Sequence, residues 1–539
     1  MRFMISRTNF LASRLVKCSS GRRYASLPTR AILKKKTKRG TTDFTSRDHI
    51  LHKDIDSFLA KAGQGTEQAR IPEHLIYKFI YSKNRETVNL GKVRVSALTS
   101  EGEGLALVSR SEYDDQCTDP QVKTVVKIPK AIPGDLVTIS LKRHYEYYAE
   151  AELVSVDKDP QNSTRRNDRL VVCKHFDLCS GCQFQMLLYE DQLVFKLDII
   201  KRAYKYFFPE INASEIDDFG MVVDSPMQFA YRTKLTPHTF VLKKFDKNFL
   251  PVPVGFNHAV SGNAIVDIDH CPIATNPINA VLPGLKKRLN DELALKIETN
   301  SKKKVESDFI LRDSLRVNHA TGEYTNVCLT RRHNVVTEKV KDFVFQFEAN
   351  EFFQNNRSIL PTFVDFLGYH LSQVEFTHLV DAYCGSGFLG ISLSGQLPQQ
   401  GKVFGIEISK KSIEYAKHNA GINGIPVPRK MEFVAGNSDS MFTNEQFLES
   451  GVTGDECVVL MNPSRKGSSD EFIKQLMDFR PKAIVYVSCN VFTQARDLAS
   501  LKVFAERRGL KYKVKTVTGF DFYPQTKHVE SVAVLELES

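Results

Sequence analysis

HLVDAYCGSGFLGISLS, residues 378–394, runs a short apolar stretch into a glycine-rich turn and then into helix-like sequence. Gly385, Gly387 and Gly390 match a G-x-G-x-x-G loop, whose glycines let the backbone turn tightly and come close to a nucleotide-like ligand. The same grammar recurs at KVFGIEIS (402–409), CVVLMNPS (457–464) and AIVYVSCN (483–490), each an apolar run that stops in a polar turn before a helix-like segment. Buried strands alternating with helices predict an α/β region with a doubly wound, Rossmann-like sheet over 341–539. Ligands of such sheets gather outside the carboxyl ends of the strands, which puts Gly385, Glu407, Asn462 and Cys489 along one edge.

Glu407 stands 20 residues past Gly387, at the end of the second strand, where a carboxylate can bind ribose hydroxyls of an adenosine cofactor. The glycine loop alone fits NAD as well as S-adenosylmethionine. Asp381 ahead of the loop and the thiol of Cys489 at a strand end, for which hydride transfer has no use, favour S-adenosylmethionine.

Outward from this region the texture changes. At 539 residues the chain is too long for one core, and 42% apolar with 25% charged residues is ordinary for a globular protein of two to four domains. No apolar run is long enough to cross a bilayer, so membrane insertion is not expected. Residues 84–157 show β-branched alternation broken by Gly102, Gly104 and Pro133-Gly134, which predicts a small OB-like antiparallel barrel. Its end carries Lys142, Arg143, His144, Tyr145, Tyr147 and Tyr148, a mixture suited to phosphate contact and base stacking, or equally to a solvated edge over core tyrosines. Residues 158–340 read as a mixed α+β domain with a helix-like basic segment, EDQLVFKLDIIKRAYKYF, at 190–207. Residues 43–83 read as helix or linker.

Ten cysteines, some tightly clustered, point to metal-binding or catalytic thiols rather than a disulfide framework. CKHFDLCSGCQFQ spaces Cys173, Cys179 and Cys182 as C-x5-C-x2-C, and Cys271 stands before a proline far downstream. Four such thiolates suit an iron–sulfur cluster or zinc, against the plainer reading of thiols that merely pack. Cys489 lies apart from this group, on the binding edge, with Glu530 in KHVESVAVLEL just before the last apolar run. A thiol, a carboxylate and a methyl donor together suggest methylation of uracil carbon 5. That carbon is a weak nucleophile until a thiolate adds to carbon 6, and a base must later remove the carbon 5 proton. Cys489 is the candidate nucleophile and Glu530 the candidate base.

From about residue 84 onward the sequence resembles the RNA uracil-5-methyltransferases, which make 5-methyluridine in tRNA or ribosomal RNA. YVSCNVFTQARDL (486–498) is similar to that family's nucleophile motif, HVESVAVLEL to its base motif, and KIPKAIPGDLV to the end of its RNA-binding TRAM barrel. FFQNN at 352–356 resembles the segment whose glutamine, here Gln354, touches the cofactor, and Tyr383 and Glu407 fall on further cofactor positions. The resemblance implies a monomeric, S-adenosylmethionine-dependent enzyme acting on RNA, tRNA at its T-loop uridine ahead of ribosomal RNA. It also implies a [4Fe–4S] cluster, rather than zinc, on Cys173, Cys179, Cys182 and Cys271, although the usual second glycine of that stretch is Ser180. Where the family has Asp-Pro-Pro-Arg this chain has Asn462-Pro463-Ser464-Arg465, and the uncharged Asn462 keeps alive a second reading, an RNA-binding protein with weakened catalysis.

The net charge of +11 resides at the N-terminus. Twelve of the 74 Lys and Arg residues precede Asp43 without a single acid, leaving 62 basic against 63 acidic residues in the rest. Residues 1–42, with Arg2, Arg7, Arg14 and Lys17 spaced among apolar residues, fit a mitochondrial presequence. The alternative is a basic tail whose KKKTKR at 34–39 serves as a nuclear signal or RNA-touching arm.

Overall fold

The computed structural model describes residues 15–17, 23–25, 43–75, 88–157, 165–211, 216–239, 250–262, 264–299, 309–318 and 320–538. Within the segment read as a presequence, Leu15–Lys17 and Arg23–Ala25 pair as a short antiparallel ribbon. The rest of that segment, KKKTKR included, lies outside the described residues.

Helix α1 (Arg47–Lys61) leads into five strands, β1 (Val88–Leu98), β2 (Gly104–Ser109), β3 (Lys123–Ile128), β4 (Leu136–His144) and β5 (Ala149–Val156). They close into a barrel in the order β1-β2-β3-β5-β4. The predicted alternation is visible in β1, where Leu90, Val93 and Val95 turn inward between exposed neighbours. Asp54 of α1 is buried and accepts from Ser100 N–H (2.7 Å), Ser100 Oγ (2.9 Å) and Tyr206 Oη (3.0 Å), so one carboxylate ties α1 and the barrel to the following helix.

That helix, α2 (Tyr189–Phe207), buries Phe195, Ile199, Ile200, Ala203 and Tyr204 at helical spacing, as its sequence predicts. The central part continues with β6 (Ile216–Phe219), short strands between 234 and 267, α3 (Asn276–Glu298), β7 (Leu311–Val317), β8 (Tyr324–Leu329) and the hairpin β9 (Val335–Val340) with β10 (Phe343–Glu348).

The last third alternates as read: α4 (Leu360–Ser372), β11 (His378–Ala382), α5 (Phe388–Leu393), β12 (Val403–Glu407), α6 (Lys410–Ile422), β13 (Met431–Ala435), β14 (Cys457–Met461), α7 (Asp470–Phe479), β15 (Ala483–Ser488), α8 (Val491–Glu506), β16 (Tyr512–Phe520) and β17 (Glu530–Leu537). The eight-stranded sheet runs β13-β12-β11-β14-β15-β17-β16-β6. β11 through β15 are mutually parallel, and β14 and β15 are buried at every position because helices cover both faces.

Two features depart from the sequence reading. β13 is absent from the sequence reading, because MEFVA interrupts its apolar residues with a glutamate and lacks a Gly-rich or polar motif to mark it; CVVLM is therefore the fourth of the parallel strands and AIVYVS the fifth. The second concerns the edge of the sheet: β6, from the central part of the sequence, pairs in parallel with β16, so the α/β core recruits a strand from before residue 340.

Candidate active site

β15 ends at Ser488 and α8 begins at Val491, which leaves Cys489 and Asn490 as a two-residue junction. Asn490 caps the helix, its Oδ1 accepting from Phe492 N–H at 3.2 Å, and its Nδ2 donates to the Arg465 carbonyl at 3.0 Å. β17 runs antiparallel to β15 with Ser488 opposite Ser531. The ladder ends there, Cys489 and Glu530 are the next residue on each chain, and the Glu530 charge acts on the Cys489 thiol. Pairing thus brings together two residues 41 positions apart in sequence. Cys489 is half-buried, and Glu530 is only 1% exposed.

Gln494 of α8 fixes this pair. Fully buried, it donates Nε2 to the carbonyls of Tyr486 (2.9 Å) and Ser531 (3.2 Å) and accepts from Ser531 Oγ at 2.8 Å, stapling the ends of both strands. Asp497, one turn on, accepts from Tyr486 Oη (2.6 Å) and Ser468 N–H (2.7 Å), anchoring the loop after β14 that carries Asn462 and Arg465. Gly467 allows that approach: its φ is +76°, and a Cβ there would lie 2.4 Å from Asp497 Oδ2.

Burial dominates the electrostatics of the pair. It pushes the Cys489 thiol up to about 11, with the Glu530 charge adding to the effect and the Arg465 guanidinium opposing it. The Glu530 carboxyl rises to about 8 for the same reason, again opposed by Arg465. Tyr523 is raised to about 12 by burial and by Glu530, with Arg232 stacked 5.8 Å from its ring centroid. Burial and the cations Lys527, Arg465, Lys196 and Arg232 keep His528 well below its ordinary value, hence neutral. Arg465 and Tyr523 therefore lie within electrostatic reach of the thiol–carboxyl pair, and Arg232 and His528 in turn contact Tyr523. The sequence reading assigned none of them a role, because nothing in their spacing sets them apart; Arg465 alone was quoted, within the motif after β14.

On the cofactor side of the edge, Gly385 and Gly387 have φ of +54° and +85°, so both occupy the left-handed region that a tight strand-to-helix turn demands. Glu407 Oε2 accepts from Gly385 N–H at 3.3 Å and Oε1 from Ser409 N–H at 2.9 Å. Tyr383, also at positive φ, shares a 3.2 Å hydrogen bond with Ser468 Oγ. Gln354 is 4% exposed, and its Oε1 has no hydrogen-bond partner among the described residues. A buried orphan acceptor is costly unless a ligand donor completes it, so Gln354 fits a bound cofactor. Its loop is firmly held: Asn355 Oδ1 accepts from Arg312 Nη1 (3.0 Å), and Asn356 Nδ2 donates to Ser225 Oγ (2.9 Å) and the Phe522 carbonyl (3.2 Å). Asn462 follows β14 on the same edge and donates its N–H to the Ala382 carbonyl at 3.4 Å.

Asp381 differs from the other candidates. It is 1% exposed and lies beneath the glycine loop, where Oδ2 accepts from Gly390 N–H at 2.9 Å. Burial, with Glu407 nearby, lifts its carboxyl to about 7. This carboxyl holds the loop's shape from below, and the sequence reading had aimed it at the cofactor.

Cys173, Cys179, Cys182 and Cys271 line one cavity of about 440 Å³, whose wall also includes Lys130 and His528. Burial raises all four thiols, Cys182 to about 12 and Cys271 to about 11, and neighbouring cysteines add to the shift at Cys179, Cys182 and Cys271. Lys130, itself buried, donates Nζ to the Cys179 carbonyl at 2.9 Å and to the Cys182 carbonyl, and lies 4.4 Å from the Phe176 ring centroid. Among the described residues no three His, Cys, Asp or Glu side chains converge on a point that would hold a single metal ion. No described helix is long and apolar enough to cross a membrane.

Residues 317–538 match the family model described as tRNA (Uracil-5-)-methyltransferase, and residues 85–154 match the TRAM domain. The tRNA (uracil(54)-C(5))-methyltransferase of Saccharomyces cerevisiae is 34% identical, the match covering 84% of this chain and 74% of that one. Its counterpart from Schizosaccharomyces pombe is 33% identical over 82% of this chain and 77% of its own. Among solved structures, the Pyrococcus abyssi tRNA (uracil-54, C5)-methyltransferase in complex with S-adenosyl-L-homocysteine superposes with a TM-score of 0.54 at 21% identity, over 83% of this chain and all of that one.

Proposed function

This chain belongs to the tRNA (uracil-5-)-methyltransferase family, and from that premise we propose that it methylates carbon 5 of the T-loop uridine, position 54, of tRNA with Cys489 as nucleophile and Glu530 as base. The observation that supports the reading most is the register of β15 against β17, whose last pair, Ser488 with Ser531, adjoins Cys489 and Glu530, both under the influence of the Arg465 charge. S-adenosylmethionine supplies the methyl group and leaves as S-adenosylhomocysteine; Gln354, Tyr383, the Gly385–Gly387 turn, Glu407 and Asn462 are the residues that would hold it.

As the uridine binds, the Cys489 thiol and the Glu530 carboxyl give up their protons to solvent, and the thiolate sulfur bonds to carbon 6 of the uracil while the carbon 5–carbon 6 electron pair moves toward the carbon 4 oxygen. The guanidinium of Arg465 favours the thiolate needed for this. Carbon 5, now electron-rich, takes the methyl group. The Glu530 carboxylate then removes the carbon 5 proton, the double bond re-forms, and the carbon 6–sulfur bond breaks to return the Cys489 thiolate. With the resting pair neutral at pH 7, two like charges never share the buried crevice before substrate arrives.

The four-cysteine cavity supports a [4Fe–4S] cluster as a second component. The four thiols line one cavity, and four thiolates are the donor set that a cluster of this kind takes. Anaerobically purified protein is expected to be brown, with iron near four per chain; a colourless, zinc-loaded sample would exclude the cluster. The arginine-spaced N-terminus supports import into mitochondria. Mapping 5-methyluridine in total and mitochondrial RNA with and without the gene tests activity, substrate and compartment together. Loss of the mark from position 54 of mitochondrial tRNA is expected; loss only from ribosomal RNA would redirect the substrate, and no loss anywhere would leave the RNA-binding reading.

A further inference from the structure

The segment 521–530 carries Tyr523, His528 and Glu530, and it enters β17 from a loop rather than from a helix or strand. Asn356, Tyr231 and Val223 bond its first half, and the cysteine-bearing stretch and α2 hold its turn. The Gln525 carbonyl accepts from Gln183 N–H (2.9 Å) and Phe184 N–H (3.1 Å). Gln192 donates to Gln525 Oε1 (3.1 Å) and accepts from Gln525 N–H (2.9 Å), while Gln525 itself sits at a φ of +70°. Lys196 pairs with Asp521 and donates to the Tyr523 carbonyl at 3.0 Å.

Within this web one side chain spans both sites. Gln183 Oε1 accepts from Lys527 N–H at 3.1 Å, three residues before Glu530, and Gln183 Nε2 donates to the Ser180 carbonyl at 2.8 Å, between Cys179 and Cys182. We propose that Gln183 is a positioning residue for the base: it ties the cysteine loop to the catalytic segment and thereby sets where Glu530 stands relative to carbon 5 of the bound uracil. The proposal rests on the catalytic reading given above. Its consequence is specific to one step. A displaced Glu530 leaves thiol addition and methyl transfer intact but slows removal of the carbon 5 proton, and without that removal the carbon 6–sulfur bond cannot break.

The test compares Gln183→Met, which keeps the length and removes both polar atoms, with Gln183→Glu, which keeps the acceptor for Lys527 N–H. Full-length protein is assayed on unmodified tRNA transcript for turnover, for S-adenosylmethionine affinity, and for RNA–protein adduct that survives denaturing electrophoresis. Gln183→Met, which loses the bonds to both Lys527 N–H and the Ser180 carbonyl, is expected to lower kcat about tenfold, with KM values unchanged and adduct accumulating. Gln183→Glu, which loses only the bond to Ser180, is expected to recover turnover to within about threefold of wild type and to show less adduct. Unchanged kcat in Gln183→Met overturns the proposal, as does a Gln183→Glu variant equally impaired, or a loss of activity shared with RNA or cofactor binding and free of adduct. A wild-type protein that makes no 5-methyluridine sinks the catalytic reading along with it, whereas an active wild type beside an unaffected Gln183→Met sinks this inference alone.

Discussion

Cys489 and the quartet Cys173, Cys179, Cys182 and Cys271 share a side chain and a buried setting, yet their company differs. Cys489 stands alone at a strand end, under the influence of one carboxyl and one guanidinium; the four others line a single cavity beside Lys130. Burial raises every one of these thiols, so the shift itself does not distinguish a nucleophile from a ligand. What does distinguish them is what relieves it. A single thiol with Arg465 beside it can be deprotonated for one reaction and returned, while four thiols lining one cavity are relieved together only by a shared positive centre.

The comparison breaks first at Cys489. Cys489→Ala is expected to abolish 5-methyluridine formation, a loss of more than about a thousandfold, while S-adenosylmethionine binding persists. A Cys182→Ala variant equally dead would erase the division of labour between the two sets. Glu530→Gln comes next, with turnover down roughly 10²–10⁴-fold and methylated RNA left attached to the protein.

The titration of Glu530 sharpens the same contrast in two ways. Turnover of the wild type should climb as pH rises through about 8, because only the carboxylate can act as base. Stability should move in the opposite direction. The folded protein binds this proton more tightly than the unfolded chain, so the contribution is complete below the ordinary value of 4.5 and is lost as pH rises toward about 8. Melting curves from pH 5 to 8.5 should therefore slope downward in the wild type and less steeply in Glu530→Gln. Equal slopes would show that the carboxyl titrates as it does in water.

Smaller effects are expected at the cysteine cavity and the cofactor edge. On the proposed cluster, Cys182→Ala is expected to lower the iron content and the melting temperature while still forming adduct at Cys489. Gln354→Ala should weaken S-adenosylmethionine binding roughly tenfold by removing the orphan acceptor; calorimetry showing unchanged affinity would place the cofactor elsewhere.

The sequence made the α/β alternation, the glycine loop and the barrel legible because each has a local signature: near-continuous apolar runs, paired glycines, period-two burial. Cys489 was legible for the same reason, since a strand end and a helix cap flank it within a few residues. Its partnership with Glu530 came from chemistry and from the resemblance, and only the antiparallel insertion of β17 explains why the two meet. Gln494, Tyr523, His528 and Arg232 stayed hidden because their roles depend on contacts between elements far apart in the chain. Asp381 was read one layer too high: adjacency to the glycine loop did not say whether its carboxyl rises to the ligand or sinks beneath Gly390.

The central claim is that Cys489 forms a bond to carbon 6 of the target uracil. Wild-type protein incubated with S-adenosylmethionine and tRNA carrying 5-fluorouridine, which has no carbon 5 proton for Glu530 to remove, is expected to be trapped as a covalent complex. Mass spectrometry should map that complex to the peptide containing Cys489, and the complex should be absent in Cys489→Ala. Absence of any complex with active wild-type protein, or its attachment to one of the four cavity cysteines, would contradict the account.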